Sequence, residues 1–432
     1  MPQGGKQFLL AALFLAPALV FLGAVVVYPA VATGVRSFFD RSGAEFVGLD
    51  NYETMFELRR MRRAIVNSFI WVAAFPVLVV TIGLILAVLA DRLPWKTAFK
   101  TVLFLPMAIS LLASGVIWRI MYEASPDRGA INAVLDIPKR LVDPPGRFPG
   151  AVPSVDGTQI GEDRSVTVAV DVDDGGAVAY LGLLRIAPDE VPDDAAEASE
   201  PPTPGTGALT GVVWRDIRAG DDEKGVVEPG ERGLPDVPVT VRAVAGSFEQ
   251  TVHTETDGTF RVDSLEPGRY EIELRGSLFR PPWQGITWLG ESLITPAAIV
   301  AATWVWAGFA MVVIGAGLAA LDRELLEAAR VDGATEWQVF RRITIPLLAP
   351  VLGVVFITMT INALKMFDLV FAIAPGSVQD EANVIALEMW RTAFTGAGDR
   401  GLGAAIAVFL FVLVLPIIAF NIRRFRIEEE RR

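Results

Sequence analysis

Few side chains in this sequence are equipped for covalent chemistry. There is no cysteine and a single histidine, His253, which removes disulfides, thiolate metal sites, iron–sulfur ligation and His-rich centres. No GxxxxGK(S/T) loop, HExxH pair, Ser/His/Asp set or catalytic carboxylate pair is present, so the chain reads as a non-enzyme that binds no nucleotide itself. What remains is polar side chains in apolar runs and carboxylates in turns. Asn362, Lys365 and Asp368 stand at i, i+3 and i+6, one stripe if the segment is a single helix, with Lys365 and Asp368 in pairing reach. Intramembrane charges are costly and face a cavity or a partner, so the stripe either lines a solute path or locks the helix as a local ion pair. Trp304 and Trp306 either stack on pyranose faces or belong to an interfacial aromatic belt. Asp216, Asp222, Glu228 and Glu231 follow one another in a loop, either as oxygen donors for a hard cation such as calcium or as a solvated acidic turn.

The elements that must position these residues are apolar helices. The chain of 432 residues is 52% hydrophobic, above the range of soluble domains. Six stretches carry no charge: Phe8–Val35, Ala64–Ala90, Thr101–Trp118, Ser292–Leu321, Ile343–Leu364 and Gly401–Ile422. A spanning helix needs roughly 20 apolar residues, so six spans are expected. The first run is too long for a signal-peptide core and is expected to persist as a span. An even number puts both termini on one side. The basic residues favour the cytoplasm, Arg423, Arg424 and Arg426 among them, although Arg59, Arg60, Arg62 and Arg63 fall outside against that trend.

The net charge of −12 resides in residues 137–283, which hold 14 Lys+Arg against 27 Asp+Glu and lie outside the membrane in this topology. Such acidity argues against nucleic acid as a partner. Within the insertion, Ser165–Val172 alternates with period two, and Asp174-Gly175-Gly176 marks a hairpin turn. Residues 188–207, rich in Pro, Ala and acid, read as a flexible linker. From 208 to 276 short strands separated by Asp257-Gly258 and Glu266-Pro267-Gly268 predict a small β-sandwich. The expected domains are therefore 1–136 (three spans), 137–207 (insertion and linker), 208–276 (sandwich) and 277–432 (three spans). The fold class is an all-α polytopic membrane protein with an inserted all-β sandwich.

Between the fourth and fifth spans, RELLEAARVDGATEWQVFRRITIPL predicts two short amphipathic helices broken at Gly333, which permits positive φ. Ala328 and Ala329 keep one face small enough for another protein to approach. Thr335 and Gln338 fit a capping box, Phe340 offers an apolar anchor, and Pro346 marks entry to the next span. Spacing alone allows an ordinary connector on the membrane surface.

The residue identities favour more. Glu327-Ala328-Ala329, Asp332-Gly333-Ala334, Phe340, Ile343 and Ile345-Pro346 resemble the EAA loop of binding-protein-dependent ABC importer permeases, here at 323–346. Gly48-Leu49-Asp50-Asn51-Tyr52, Phe104-Leu105-Pro106, Asn362-Ala363-Leu364-Lys365 and Asn421-Ile422-Arg423-Arg424 extend the likeness over roughly 1–136 and 284–432, closest to the maltose-type and α-glucoside branches. The resemblance implies a type I importer permease in the cytoplasmic membrane, docked through this loop on two ABC ATPase subunits that bind ATP and magnesium. It also implies a second homologous permease subunit, an extracytoplasmic sugar-binding protein, membrane lipid around the spans, and maltose, trehalose or sucrose as substrate. This chain itself carries no cofactor. The long insertion departs from the family pattern as expected from sequence. Val213-Trp214-Arg215-Asp216, Glu228–Pro235 and Leu265–Tyr270 resemble the prealbumin-like B repeats of Gram-positive adhesins, which implies the candidate calcium loop. A rival of another class is a membrane-anchored surface or sensory protein whose acidic β module binds an external partner; it gives no account of the loop at 323–346.

Overall fold

The computed structural model describes residues 3–217 and 224–429. The chain forms two compact units: a helical one that runs to Asn132 and resumes at Ile286, and a β unit, Ala133–Gly285.

The helical unit begins with α1 (Gln3–Leu22), a π-helical turn and α2 (Tyr28–Arg36), followed by α3 (Asp50–Glu57) and the 33-residue α4 (Arg59–Asp91). Next come α5 (Lys96–Phe104), α6 (Leu111–Met121) and α7 (Ala130–Val142), whose later turns belong to the β unit. Beyond the β unit stand α8 (Ile294–Ala319), α9 (Arg323–Val331), α10 (Glu336–Val339), α11 (Ile345–Leu364), α12 (Asp368–Ile373), α13 (Ile385–Phe394) and α14 (Arg400–Glu429).

Four helical stretches among the described residues are long and apolar enough to cross a membrane: Leu13–Arg36, Arg59–Asp91, Ile294–Ala319 and Glu336–Leu364. The expected third span is not one straight helix. Lys96–Ala108 and Leu111–Met121 meet at 100°. Pro106 lacks an N–H and sits in a 3₁₀ turn, Ile109 is extended, and Ser110 starts a fresh helix by accepting a bond from the Ala113 amide at 3.2 Å. Both pieces still pack tightly, because glycine lets backbone approach backbone. A Cβ on Gly308 of α8 would lie 2.0 Å from the Leu103 carbonyl, and one on Gly115 of α6 would lie 2.6 Å from Ala372 of α12. Gly83 of α4 meets Ala310 of α8 in the same way. Without a hydrophobic driving force between helices in lipid, small residues at such crossings supply the close van der Waals contact that holds a bundle. The core joins Trp71, Phe75 and Val79 of α4, Ala298, Ala301 and Met311 of α8, Met359 of α11 and Leu369 of α12.

In the β unit the strands are β1 (Val152–Pro153), β2 (Gln159–Ile160), β3 (Val166–Val172), β4 (Ala177–Leu184), β5 (Leu209–Arg215), β6 (Arg232–Gly233), β7 (Pro238–Ala243), β8 (Glu249–His253), β9 (Thr259–Val262) and β10 (Gly268–Leu274). They form two sheets, β2-β3-β10-β7-β8 and β1-β4-β5-β6 with β9 on β5. Leu181, Leu183, Leu209 and Val213 from one meet Val239, Val241, Ile272 and Leu274 from the other in a common core, a sandwich.

Three expectations for this region change. The turn at Asp174-Gly175-Gly176 forms, yet β3 and β4 do not build a hairpin ladder. β3 pairs with β10 over all seven residues, from Val166↔Leu274 to Val172↔Gly268, and β4 runs parallel to β5, so the turn carries the chain between sheets. The sandwich therefore draws on residues from 152 onward, not on 208–276 alone. The segment 188–207 is not a loose linker either: the Ala196 and Ala198 amides bond to the Thr256 and Glu231 carbonyls at 2.8 Å each, and Tyr180 bonds Glu200 at 2.9 Å.

Candidate coupling loop and solute path

The loop 323–346 consists of two short helices around a left-handed residue. Asp322 caps α9, its carboxylate accepting from the Glu324 amide at 2.9 Å. Gly333 has φ +84°, a region that disfavours a side chain, and Ala334 N–H returns to the Ala329 carbonyl at 3.0 Å. Thr335 and Gln338 then form the reciprocal capping box, at 2.8 and 3.3 Å. The sequence reading missed the clamp across the break: Arg330 donates to both carboxylate oxygens of Glu336, at 2.7 and 3.3 Å. These bonds, with the charges of Arg330 and Arg92, hold the Glu336 carboxyl below its ordinary range. The pair stands six positions apart, a spacing that no helix would join.

Glu327, Ala328, Asp332 and Gly333 are exposed, Ala329, Ala334 and Phe340 half-buried. Trp337, also unanticipated, is 65% exposed and lies 5.7 Å from the Phe340 ring. Beneath the loop is a cavity of about 550 Å³ lined by Arg92, Lys96, Arg323, Trp337 and Phe340. An exposed aromatic thus stands beside small residues on a turn braced by two caps and a bidentate ion pair.

The polar stripe expected at 362–368 does not exist as one helical face. α11 stops at Leu364, Lys365 caps it, Phe367 has φ −133° and ψ −63°, and Asp368 opens α12. Asn362 turns back onto the Thr358 carbonyl at 3.1 Å. Lys365 and Asp368 are both exposed, and among the described residues they form no ion pair with each other. The tryptophans also separate, since two residues along a helix differ by about 200°. Trp304 meets Trp118 edge-on at 5.7 Å and lines an apolar cavity of about 370 Å³ with Leu78, Leu103 and Thr303. Trp306 packs on Phe309 at 5.9 Å, away from that cavity.

A polar cluster around a buried carboxylate takes up two of the four arginines at 59–63. Glu388 of α13 is fully buried, accepts from the Asn383 amide at 2.6 Å, and faces Arg60 at 3.6 Å; Arg63 pairs with Glu381 at 3.5 Å. Asn67 donates to the Glu381 and Asn383 carbonyls at 2.7 and 2.9 Å. The only signal in the sequence was the cluster of arginines on the wrong side of the charge trend.

In the β unit, Asp216 and Glu231 are buried and act as loop caps. Asp216 accepts from the Gly225 amide at 2.8 Å, and Glu231 accepts from the Ile217 and Glu228 amides at 2.7 and 3.0 Å. Burial pushes the Glu231 carboxyl above its ordinary value. Asp222 lies outside the described residues. Among the described residues, no three carboxylates or histidines gather as a metal site.

Residues 266–425 match a family described as the binding-protein-dependent transport system inner membrane component. The chain is 28% identical over 415 residues to the alpha-glucoside transport system permease protein AglF of Rhizobium meliloti, over 95% of this chain and 81% of that protein. It is 27% identical over 421 residues to the osmoprotective compounds uptake permease protein GgtC of Synechocystis, over 97% and 100%. A shorter match, 38% over 144 residues, joins it to the trehalose/maltose transport system permease protein MalF of Thermococcus litoralis, over 33% and 48%. Its fold is that of a chain in a bacterial ABC transporter involved in import of the acidic polysaccharide alginate, with TM-score 0.56 and 17% identity over 98% of this chain and 96% of that one. The matches to AglF, GgtC and the alginate-transporter chain run through the insertion, so the long segment between α6 and α8 is no departure from those three. The matched segment holds α8, the capped loop and the helices after it, and with this architecture the chain is a multi-pass membrane permease of the binding-protein-dependent ABC transport type.

Proposed function

We propose that this chain is one membrane subunit of an ATP-driven carbohydrate importer, with α-glucosides such as maltose, trehalose or sucrose as its substrates. The observation that carries the reading is the rigid two-helix loop at 323–346, joined to similarity with permeases named for α-glucoside and trehalose/maltose transport. In this reading six segments cross the cytoplasmic membrane, the bent α5–α6 pair counting as one, with both termini inside and residues 137–283 outside. A second homologous permease completes the path, two ATPase subunits dock on the loops, and an extracytoplasmic binding protein delivers the sugar. Closure of the ATPases on ATP and magnesium pushes Glu327–Ala334 and Trp337, and π-turn Phe340–Thr344 passes that motion directly into α11. The permease performs no bond chemistry; it alternates access. Trp304 and Trp118 offer aromatic faces on the route, whereas Asn362, Lys365 and Asp368 bracket the α11–α12 break.

The test is ATP-driven uptake of labelled α-glucosides into proteoliposomes holding the four-subunit complex with its binding protein. Accumulation of at least one α-glucoside is expected. Uptake of a non-sugar solute with none of any α-glucoside would overturn the substrate class, and transport without ATP hydrolysis would overturn the mechanism.

A further inference from the structure

Helix α7 is built inside out. At 100° per residue, Asn132, Asp136, Lys139 and Arg140 fall on one side and Val134, Ile137, Leu141 and Val142 on the other. In a soluble protein the apolar side would face inward. Here Asn132 and Asp136 are the buried residues, while Val134, Ile137, Leu141 and Val142 are 65%, 61%, 82% and 86% exposed. The buried side is satisfied: the Asn132 amide donates to the Glu123 and Ala124 carbonyls at 2.9 Å each and to the Ile286 carbonyl at 3.0 Å. Its oxygen accepts from the Ile286 amide and the Trp288 indole, at 3.0 and 3.1 Å. Asp136 accepts from Arg140 one turn on.

We infer that α7 lies in the plane of the membrane surface, its aliphatic side sunk into the acyl–headgroup boundary of the bilayer. Three observations select lipid over a protein partner. Asn132 fixes the first turn of α7 to residues 123–124, just after α6, and 286–288, just before α8, so the helix starts where two membrane segments end. The apolar side is purely aliphatic, without the Trp, Tyr or Arg anchors that concentrate binding energy at protein interfaces. Lys139, exposed, stands at one flank of it, where phosphate headgroups would lie. The inference goes beyond the transport reading and holds for any solute.

The cysteine-free chain makes the test direct. Ile137→Cys, Leu141→Cys and Lys139→Cys, each in the full-length protein in phospholipid nanodiscs, are labelled with nitrobenzoxadiazole and quenched by aqueous iodide or by doxyl-labelled lipid. The expected result is several-fold weaker iodide quenching at 137 and 141 than at 139, with stronger quenching by the lipid. Equal iodide quenching at all three, or protection that appears only after the partner subunits or the binding protein are added, overturns the inference. On the unmodified chain, a lipid carrying a photoreactive diazirine should label the peptide 130–142; no labelling there, with labelling of α1 intact, also overturns it.

Discussion

Substitution of Gly333 isolates the backbone contribution of the proposed coupling loop. An added Cβ would meet no atom within 4 Å, so the cost of a side chain comes from φ +84° and not from a clash inside this subunit. A left-handed L-residue costs about 1–2 kcal/mol, of which about 0.4–1 kcal/mol is offset because alanine loses less conformational freedom than glycine. Gly333→Ala should therefore shift the loop away from its productive turn by about 1 kcal/mol, roughly a 5-fold change in population. Gly333→Val, β-branched, should cost more, and Gly333→Asn, which tolerates this region, should cost least. The assay is ATP hydrolysis by the reconstituted complex with and without loaded binding protein. Stimulation should rank Gly, Asn, Ala, Val in descending order, while the uncoupled basal rate stays constant. Wild-type stimulation in the valine variant would refute a coupling role for the turn. An asparagine variant as impaired as valine would refute the backbone argument and point to steric exclusion by the docked ATPase.

The Arg330–Glu336 clamp should respond to acid. Because the folded-state carboxyl titrates below its ordinary 4.5, the clamp's contribution is present above that value and lost as pH falls through the lowered pKa. Hydrogen exchange of the 332–336 amides, corrected for intrinsic rates, should show protection at pH 7 that falls in this acid window, and Glu336→Gln should lack it already at pH 7. The two tryptophans should divide cleanly. Trp304→Ala should alter α-glucoside uptake with little change in melting temperature, since its ring borders open space. Trp306→Ala should instead destabilise the fold by an amount approaching the roughly 3 kcal/mol at the low end for buried aromatics, read as a lower melting midpoint. Melting of the detergent-solubilised protein beside uptake assays decides both.

Whatever depends on near neighbours was legible in the sequence. The apolar runs, the Thr335/Gln338 box, the Gly333 turn and the alternation of Ser165–Val172 all rest on dihedral preferences and spacings within a few residues, and the structure has each of them. The break in the third apolar run was also local, written as Pro106 and Ser110, but hydropathy outweighed those two residues in the reading. The partners of those elements were not legible. Asp174–Gly176 reads as a turn, yet whether β3 continues onto β4 or onto β10 depends on which apolar faces meet across the core, 100 residues apart in sequence. The interruption after Leu364 dissolves the 362–368 stripe because Leu369 and Val370 are drawn into the core as α12 packs on α6, a gain no periodicity records. Arg60 and Glu388 look like an anomalous outer cation and a lone acid until the fold brings them within 3.6 Å. A chain encodes its local conformations in runs of adjacent residues. Burial, pairing of distant charges and the choice of sheet partner are collective, since each contact's free energy exists only once the rest of the structure excludes water or presents lipid.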